Sequence, residues 1–189
     1  MAVVVPSPTS VASILVLSAP FQWFTVAGVK TFRIPKLRDS GAGLGGTAFM
    51  LGTLVIVWQG LYNGFDLTPA ASGAALSVLS LVLYEWARWT IVGRRFAIAL
   101  ADEVPEAVCE DGPYRYMRHP FYLSYVLASS GMLVATPNLV AAAVFIFNAT
   151  VFTYMARDDE RTLQASALSS DYDAYRQRVG FLMLLPRRR

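Results

Sequence analysis

The chain has 189 residues, 55% of them hydrophobic and only 15% charged, with a mean hydropathy of +0.45. Soluble domains carry nearer one-quarter charged residues, so this composition excludes an ordinary soluble fold and points to the bilayer as solvent. The net charge of +3 sits beside apolar segments, where it orients a membrane protein rather than marking a nucleic-acid partner, and the single cysteine, Cys109, excludes an intramolecular disulfide or a thiolate metal cluster within one chain. At roughly 20 residues per span, half a dozen helices use most of this length and leave these residues no separate soluble domain.

Met1 to Ser10 carry no charge. The positive n-region of a secretory signal is missing, so the first apolar run is read as retained. That run, Val11 to Val29, is interrupted by Pro20 and Gln22, which a helix tolerates when neighbours satisfy the freed backbone groups. Lys30, Arg33, Lys36 and Arg38 then form a basic loop, and Gly41, Gly43, Gly45 and Gly46 lead into a second run, Leu44 to Tyr62. Asn63 to Pro69 has no Lys or Arg, and the third run, Ala70 to Val92, ends in Tyr84, Trp86 and Trp89, rings expected at the headgroup level. A polar stretch from Gly93 to His119 precedes a fourth run, Pro120 to Ala135. Thr136, Pro137 and Asn138 turn the chain into a fifth, Leu139 to Ala156.

Basic residues fall in the 30s loop, the 93–119 stretch and the C-terminal tail, while the two intervening turns have none. The positive-inside rule makes the basic side cytoplasmic, with about five spans, the N-terminus outside and the C-terminus inside. Beyond Arg157 the chain turns polar. Leu168, Tyr172, Tyr175 and Val179 recur at helical spacing, predicting an amphipathic helix on the cytoplasmic face, with Phe181 to Leu185 and Arg187, Arg188 and Arg189 at the headgroups. The expected fold is an all-α integral membrane protein of about five transmembrane helices with a C-terminal amphipathic cytoplasmic helix.

Two clusters carry candidate chemistry. Gly112 to Tyr122 packs the only histidine, two arginines and three tyrosines against the start of the fourth helix. His119 is pushed from helical geometry by the proline after it, and Pro120 suits the first helical position. A helix N-terminus there points free N–H groups outward, a seat for a carboxylate or phosphate to which Arg118 adds full charge. The plainer reading has Arg115 and Arg118 snorkelling to anionic lipid and His119 capping the helix. The second cluster, Arg157-Asp158-Asp159-Glu160-Arg161, follows the fifth run. A hairpin brings it to the same membrane face as the first, with carboxylates able to accept hydrogen bonds from ribose hydroxyls or an amine. The plainer reading of it is a solvated run of charges with internal i,i+3 and i,i+4 pairs.

From about Gly93 to Pro186 the sequence resembles the isoprenylcysteine carboxyl methyltransferases and related phospholipid methyltransferases. The resemblance rests on Gly93-Arg94-Arg95-Phe96, Gly112-Pro113-Tyr114, Arg118-His119-Pro120-Phe121-Tyr122, the hairpin, Asp159-Glu160, Tyr172, Tyr175, Val179 and Pro186. Asp159 where a Glu is usual, Ser124 where a Gly is common and Leu168-Ser169 in place of Phe-Gly depart from the pattern. Alignment on the tail tyrosines puts Glu160 at the first acidic position and alignment on Leu163 puts Asp159 there. The arginine expected one turn earlier has Arg157 as its nearest candidate.

The resemblance implies an integral membrane methyltransferase using S-adenosylmethionine. Tyr114, Arg118, His119, Pro120, Tyr122, Asp159 and Glu160, with Val108 and Cys109 from the stretch that begins at Glu106, are expected to bind the cofactor. Glu160 and Arg157 are expected to act in catalysis, and no metal is implied. Residues 1–92 are expected to shape the acceptor side and residues 93–189 the cofactor side of a single domain. A lipophilic or small acceptor, carboxylate, thiol or amine, is expected to arrive from the membrane, with membrane lipid as the other partner and no nucleic acid. The rivals are a membrane reductase of the sterol-reductase kind, using a nicotinamide cofactor, and a non-catalytic scaffold that binds lipid headgroups or a partner protein.

Overall fold

The computed structural model describes residues 6–31, 40–92 and 107–182. Among these residues six α-helices follow in chain order: α1 Pro8–Thr31, α2 Ser40–Tyr62, α3 Leu67–Ile91, α4 Pro120–Ala135, α5 Leu139–Gln164 and α6 Ser169–Arg178. A short 3₁₀ turn, Gly112–Arg115, precedes α4. The connections at 32–39 and 93–106, and the tail arginines from 187, lie outside the described residues, as does Pro186. The basic 30s loop, the Gly93-Arg94-Arg95-Phe96 lead-in and Glu106 therefore stay expectations.

The helices are apolar on their outer as well as their inner faces. Leu15, Trp23, Met50, Leu54, Trp58, Leu79, Val82 and Ile146 are exposed on the bundle, an all-round apolarity that marks helices surrounded by lipid. The chain is an all-α membrane protein. Among the described residues four helices, α1, α2, α3 and α5, are each long and apolar enough to cross a membrane. The fourth run, Pro120–Ala135, forms a shorter apolar helix of 16 residues, about 24 Å against a hydrocarbon thickness of about 30 Å. His119-Pro120 fixes its start and Thr136-Pro137 its end.

The short helix α4 is tightly packed. Ala128 and Met132 are wholly buried, and α3 lies against it so closely that a Cβ on Gly73 would come within 2.5 Å of the Gly131 carbonyl oxygen. Small residues let membrane helices approach in this way. Across the α4–α5 hairpin, Asn138 caps α5 by accepting from the Ala141 N–H at 2.9 Å. Inside the hairpin the buried Asn148 Nδ2 donates to Ser129 Oγ at 3.0 Å. The turn from α2 to α3 uses Gly64 at φ +70°, which a side chain would strain.

One boundary shifts the site. The fifth run was expected to end at Ala156, yet α5 continues to Gln164. No Gly or Pro interrupts residues 157–164, so polarity ends the apolar run without ending the helix. The tail helix forms where expected, at Ser169–Arg178. Its buried face meets protein: Tyr172 and Tyr175 are buried in a small second core with Leu163 and Val179, against which Val108 packs, and Phe181 rests on His119. Tyr84 differs from Trp86 and Trp89. Those two are exposed, whereas Tyr84 is wholly buried in the bundle.

Candidate functional site

The start of α4 and the end of α5 meet. The cause is local: α5 runs on past the bilayer-length stretch, and α4 begins abruptly at Pro120, so the two polar clusters stand side by side. Tyr122, in the first turn of α4, donates its hydroxyl to Asp159 Oδ2 at 2.8 Å. His119 Nε2 lies 3.0 Å from Glu160 Oε1. Arg118 Nη1 approaches the same oxygen at 3.0 Å, off the hydrogen-bonding direction. Arg118, His119 and Glu160 are all largely shielded from solvent, at 11%, 8% and 14% side-chain exposure, where charge-assisted contacts are stronger than on an open surface.

These contacts displace the plainer readings. The His119 side chain makes no cap hydrogen bond to α4, and Arg118 faces inward to Glu160 instead of snorkelling. Arg115, by contrast, is exposed. Asp158 and Arg161 do keep a surface pair at 4.0 Å, so the run of charges divides between the two faces of α5.

A cavity of about 60 Å³ opens at this junction, lined by Val108, Cys109, Tyr114, Arg118, His119 and Pro120, then by Phe121, Tyr122, Asp159 and Leu163, and closed by Tyr172 and Tyr175 of α6. That volume suits a few ordered waters. Gly112 at φ +54° and the 3₁₀ turn after it set Tyr114 into the wall. Several contacts tie the tail down: the Tyr175 hydroxyl donates to the Tyr114 carbonyl at 2.7 Å, Met117 and Gly180 form a parallel bridge, the Arg118 N–H donates to the Gly180 carbonyl at 3.0 Å, and Arg178 pairs with Glu110 at 2.9 Å. Phe181 then sets its ring edge-on to His119, centroids 4.8 Å apart, with the Arg118 guanidinium 5.6 Å from its centre.

Burial dominates the electrostatics. It holds the His119 imidazole below its ordinary pKa, against the opposing hydrogen bond and charge of Glu160, so His119 is neutral at pH 7. Burial also pushes the Tyr114 and Tyr175 phenols upward. For Tyr172, burial acts first and the Glu160 charge second, in the same direction. All three tyrosines are neutral hydrogen-bonding groups. Three buried polar atoms at the cavity walls, Arg118 Nε and Nη1 and the Tyr172 hydroxyl, have no hydrogen bond of acceptable geometry among the described residues. Orphans of this kind are costly unless a ligand or water completes them.

Of the residues singled out from the sequence, Val108, Cys109, Tyr114, Arg118, His119, Pro120, Tyr122 and Asp159 converge on the cavity. Glu160 stands behind it, holding Arg118 and His119. Arg157 does not come to the cavity. Two residues before Asp159, it is turned about 200° around the helix, is exposed, and lines a separate outer groove with Tyr154 and Arg161. Sequence reasoning left Phe121, Leu163, Tyr172, Tyr175 and Phe181 out of the site. The i,i+3 spacing of Tyr172 and Tyr175 is the available signal, since it sets both rings on one face of the tail helix.

Residues 74–165 match the model of the isoprenylcysteine carboxyl methyltransferase (ICMT) family. The chain is ICMT-like over that segment, which runs from within α3 to the end of α5 and takes in just under half of the sequence. The match supports a membrane methyltransferase in general. No curated protein and no solved structure matches the chain. The matched segment contains the α4–α5 junction and stops short of α6, so the tail that closes the cavity lies beyond it.

Proposed function

We propose that the chain transfers a methyl group from S-adenosylmethionine to a small or lipophilic acceptor, a carboxylate, thiol or amine, at the cytoplasmic face of the membrane. The observation that carries this reading is the convergence of Tyr114, Arg118, His119, Tyr122 and Asp159 on one cavity, inside a segment that is ICMT-like. The residues present suit the cofactor. Arg118 Nε and the Tyr172 hydroxyl are buried donors in want of acceptors, which a carboxylate supplies, and Asp159 offers an acceptor to hydroxyls or an amine.

When bound, the cofactor supplies a methyl activated on a positively charged sulfonium. The chain's own residues then need only bind, orient and exclude water, because the displacement requires two reactants in line more than it requires a proton relay. Arg118 holds an anionic end. Glu160, fixed between Arg118 and His119, is a positioning residue that keeps both from turning outward. Tyr122 orients the Asp159 carboxylate through its hydroxyl. Val108, Phe121 and Leu163 supply apolar wall that keeps water out.

A cavity of about 60 Å³ is smaller than a nucleoside cofactor, so binding displaces a wall. The wall that yields is the tail. It is a ten-residue helix with a small core of its own, whereas α4 and α5 are embedded in the bundle. Calorimetry on the detergent-purified protein tests the reading. It predicts micromolar binding of S-adenosylhomocysteine, weakened by His119→Ala and Glu160→Ala, and none of a reduced nicotinamide. Binding of the nicotinamide instead would promote a reductase. Folded protein that binds neither would promote a lipid-binding scaffold.

A further inference from the structure

The floor of the cavity is Tyr122, and behind it the bundle is filled by aromatic rings. Phe152 of α5 stacks on Tyr122 at 6.4 Å and 29°, and Tyr125 meets it edge-on at 5.9 Å. Phe152 and Tyr125 touch each other at 4.8 Å. Phe49 of α2 closes against both, at 5.4 Å and 4.9 Å, and Phe24 of α1 against Phe49 and Tyr125, at 5.7 Å and 5.0 Å. None of these five rings is more than 9% exposed. They come from four helices and pack into one continuous buried cluster behind Tyr122.

We infer that Phe152, Phe49 and Tyr125 set the length of the methyl acceptor, and that this protein methylates compact acceptors whose apolar part ends at Tyr122, not long isoprenoid chains threaded into the bundle. The inference rests on the methyltransferase reading above and narrows its acceptor. A long chain seated beneath the cavity has to displace at least two stacked rings, and interiors packed to this density resist added volume. A short thiol or amine displaces none. In this account α1 and α2 shape the acceptor side by filling it, through Phe24 and Phe49.

The experiment is an acceptor-length profile at fixed S-adenosylmethionine, using n-alkanethiols and n-alkylamines from butyl to hexadecyl and an S-farnesylcysteine. Wild type is compared with Phe152→Leu, Phe49→Leu and Phe21→Leu, leucine being chosen because truncation to alanine endangers folding. Phe21 is wholly buried in the same core but contacts Phe49 alone among these rings, at 6.3 Å, so it reports general loosening.

The expected result is a wild-type preference for short chains. Phe152→Leu and Phe49→Leu then shift kcat/KM toward longer ones by about tenfold or more, the scale of a few methylenes gained in an apolar pocket, and Phe21→Leu leaves the profile unmoved. Equal turnover of short and long acceptors by wild type overturns the inference, as does an equal shift in all three variants. Calorimetric binding of S-adenosylhomocysteine to the same four proteins separates the two levels. If wild type binds none, the methyltransferase reading fails and the inference goes with it. If wild type binds it and the profile is flat, only the inference fails.

Discussion

The molecule has two cores, and they differ in kind. The bundle core is rich in aromatic rings and shared by α1 to α5. The tail core is four buried residues, Leu163, Tyr172, Tyr175 and Val179, and the tail is joined to the rest by one bridge, a few hydrogen bonds, the Arg178–Glu110 ion pair and the Phe181 ring on His119. The cavity lies on the seam between them. A rigid wall holds Tyr122, Asp159 and Glu160 in place, and a loosely tied wall of tail tyrosines and Phe181 can move aside. Local opening is drawn from parts with few buried contacts, so in the proposed function the two cores divide the work into positioning and access.

The largest predicted effect attacks the rigid side. Glu160→Ala strands the Arg118 charge and removes the partner of His119, freeing both to turn from the cavity, and a misplacement of about 1 Å at such a site costs on the order of a hundredfold. S-adenosylhomocysteine affinity by calorimetry should fall roughly a hundredfold or more, with Glu160→Gln retaining part of it. Tyr175→Phe attacks the loose side. It removes the 2.7 Å hydrogen bond to the Tyr114 carbonyl, about 1 kcal/mol, and should speed dissociation of the bound product several-fold in stopped flow.

Acidification comes next. The His119 imidazole is held below its ordinary value of about 6.5 by burial, so in acid the unfolded chain takes up a proton that the folded one resists. Stability from this group is present above about pH 6.5 and is lost as pH falls through that value. Thermal midpoints should drop on going from pH 7 to pH 5, by less in His119→Gln. The smallest effect is expected at Arg157. On the outer face of α5, Arg157→Ala should change cofactor affinity by no more than about 0.5 kcal/mol, and a large loss would mean that Arg157 reaches the cavity.

Much of the fold was legible where the chain punctuates itself. Pro120 after His119 and the Thr136-Pro137-Asn138 turn fixed both ends of α4, and Asn138 announced the start of α5. Hydropathy misled at the other end of α5, because a polar segment without Gly or Pro continues a helix as readily as it ends one. That continuation is what sets Asp159 and Glu160 on a rigid axis. The meeting of the two charge clusters was readable from the hairpin. The partners were not, because Phe181 on His119 and Tyr175 on Tyr114 are contacts between residues 62 and 61 positions apart, which no local pattern encodes. Tyr84 shows the same limit, since sequence places it beside Trp86 and Trp89 while one turn of helix decides that it faces inward.

The central claim is that the cofactor sits on the seam. Hydrogen exchange of the protein in lipid nanodiscs, with and without S-adenosylhomocysteine, tests it most directly. The account predicts slowed exchange in peptides covering residues 108–122 and 159–181, with residues 8–62 unchanged. Binding that protects the first two helices and leaves the α4–α5 junction and the tail untouched would contradict it.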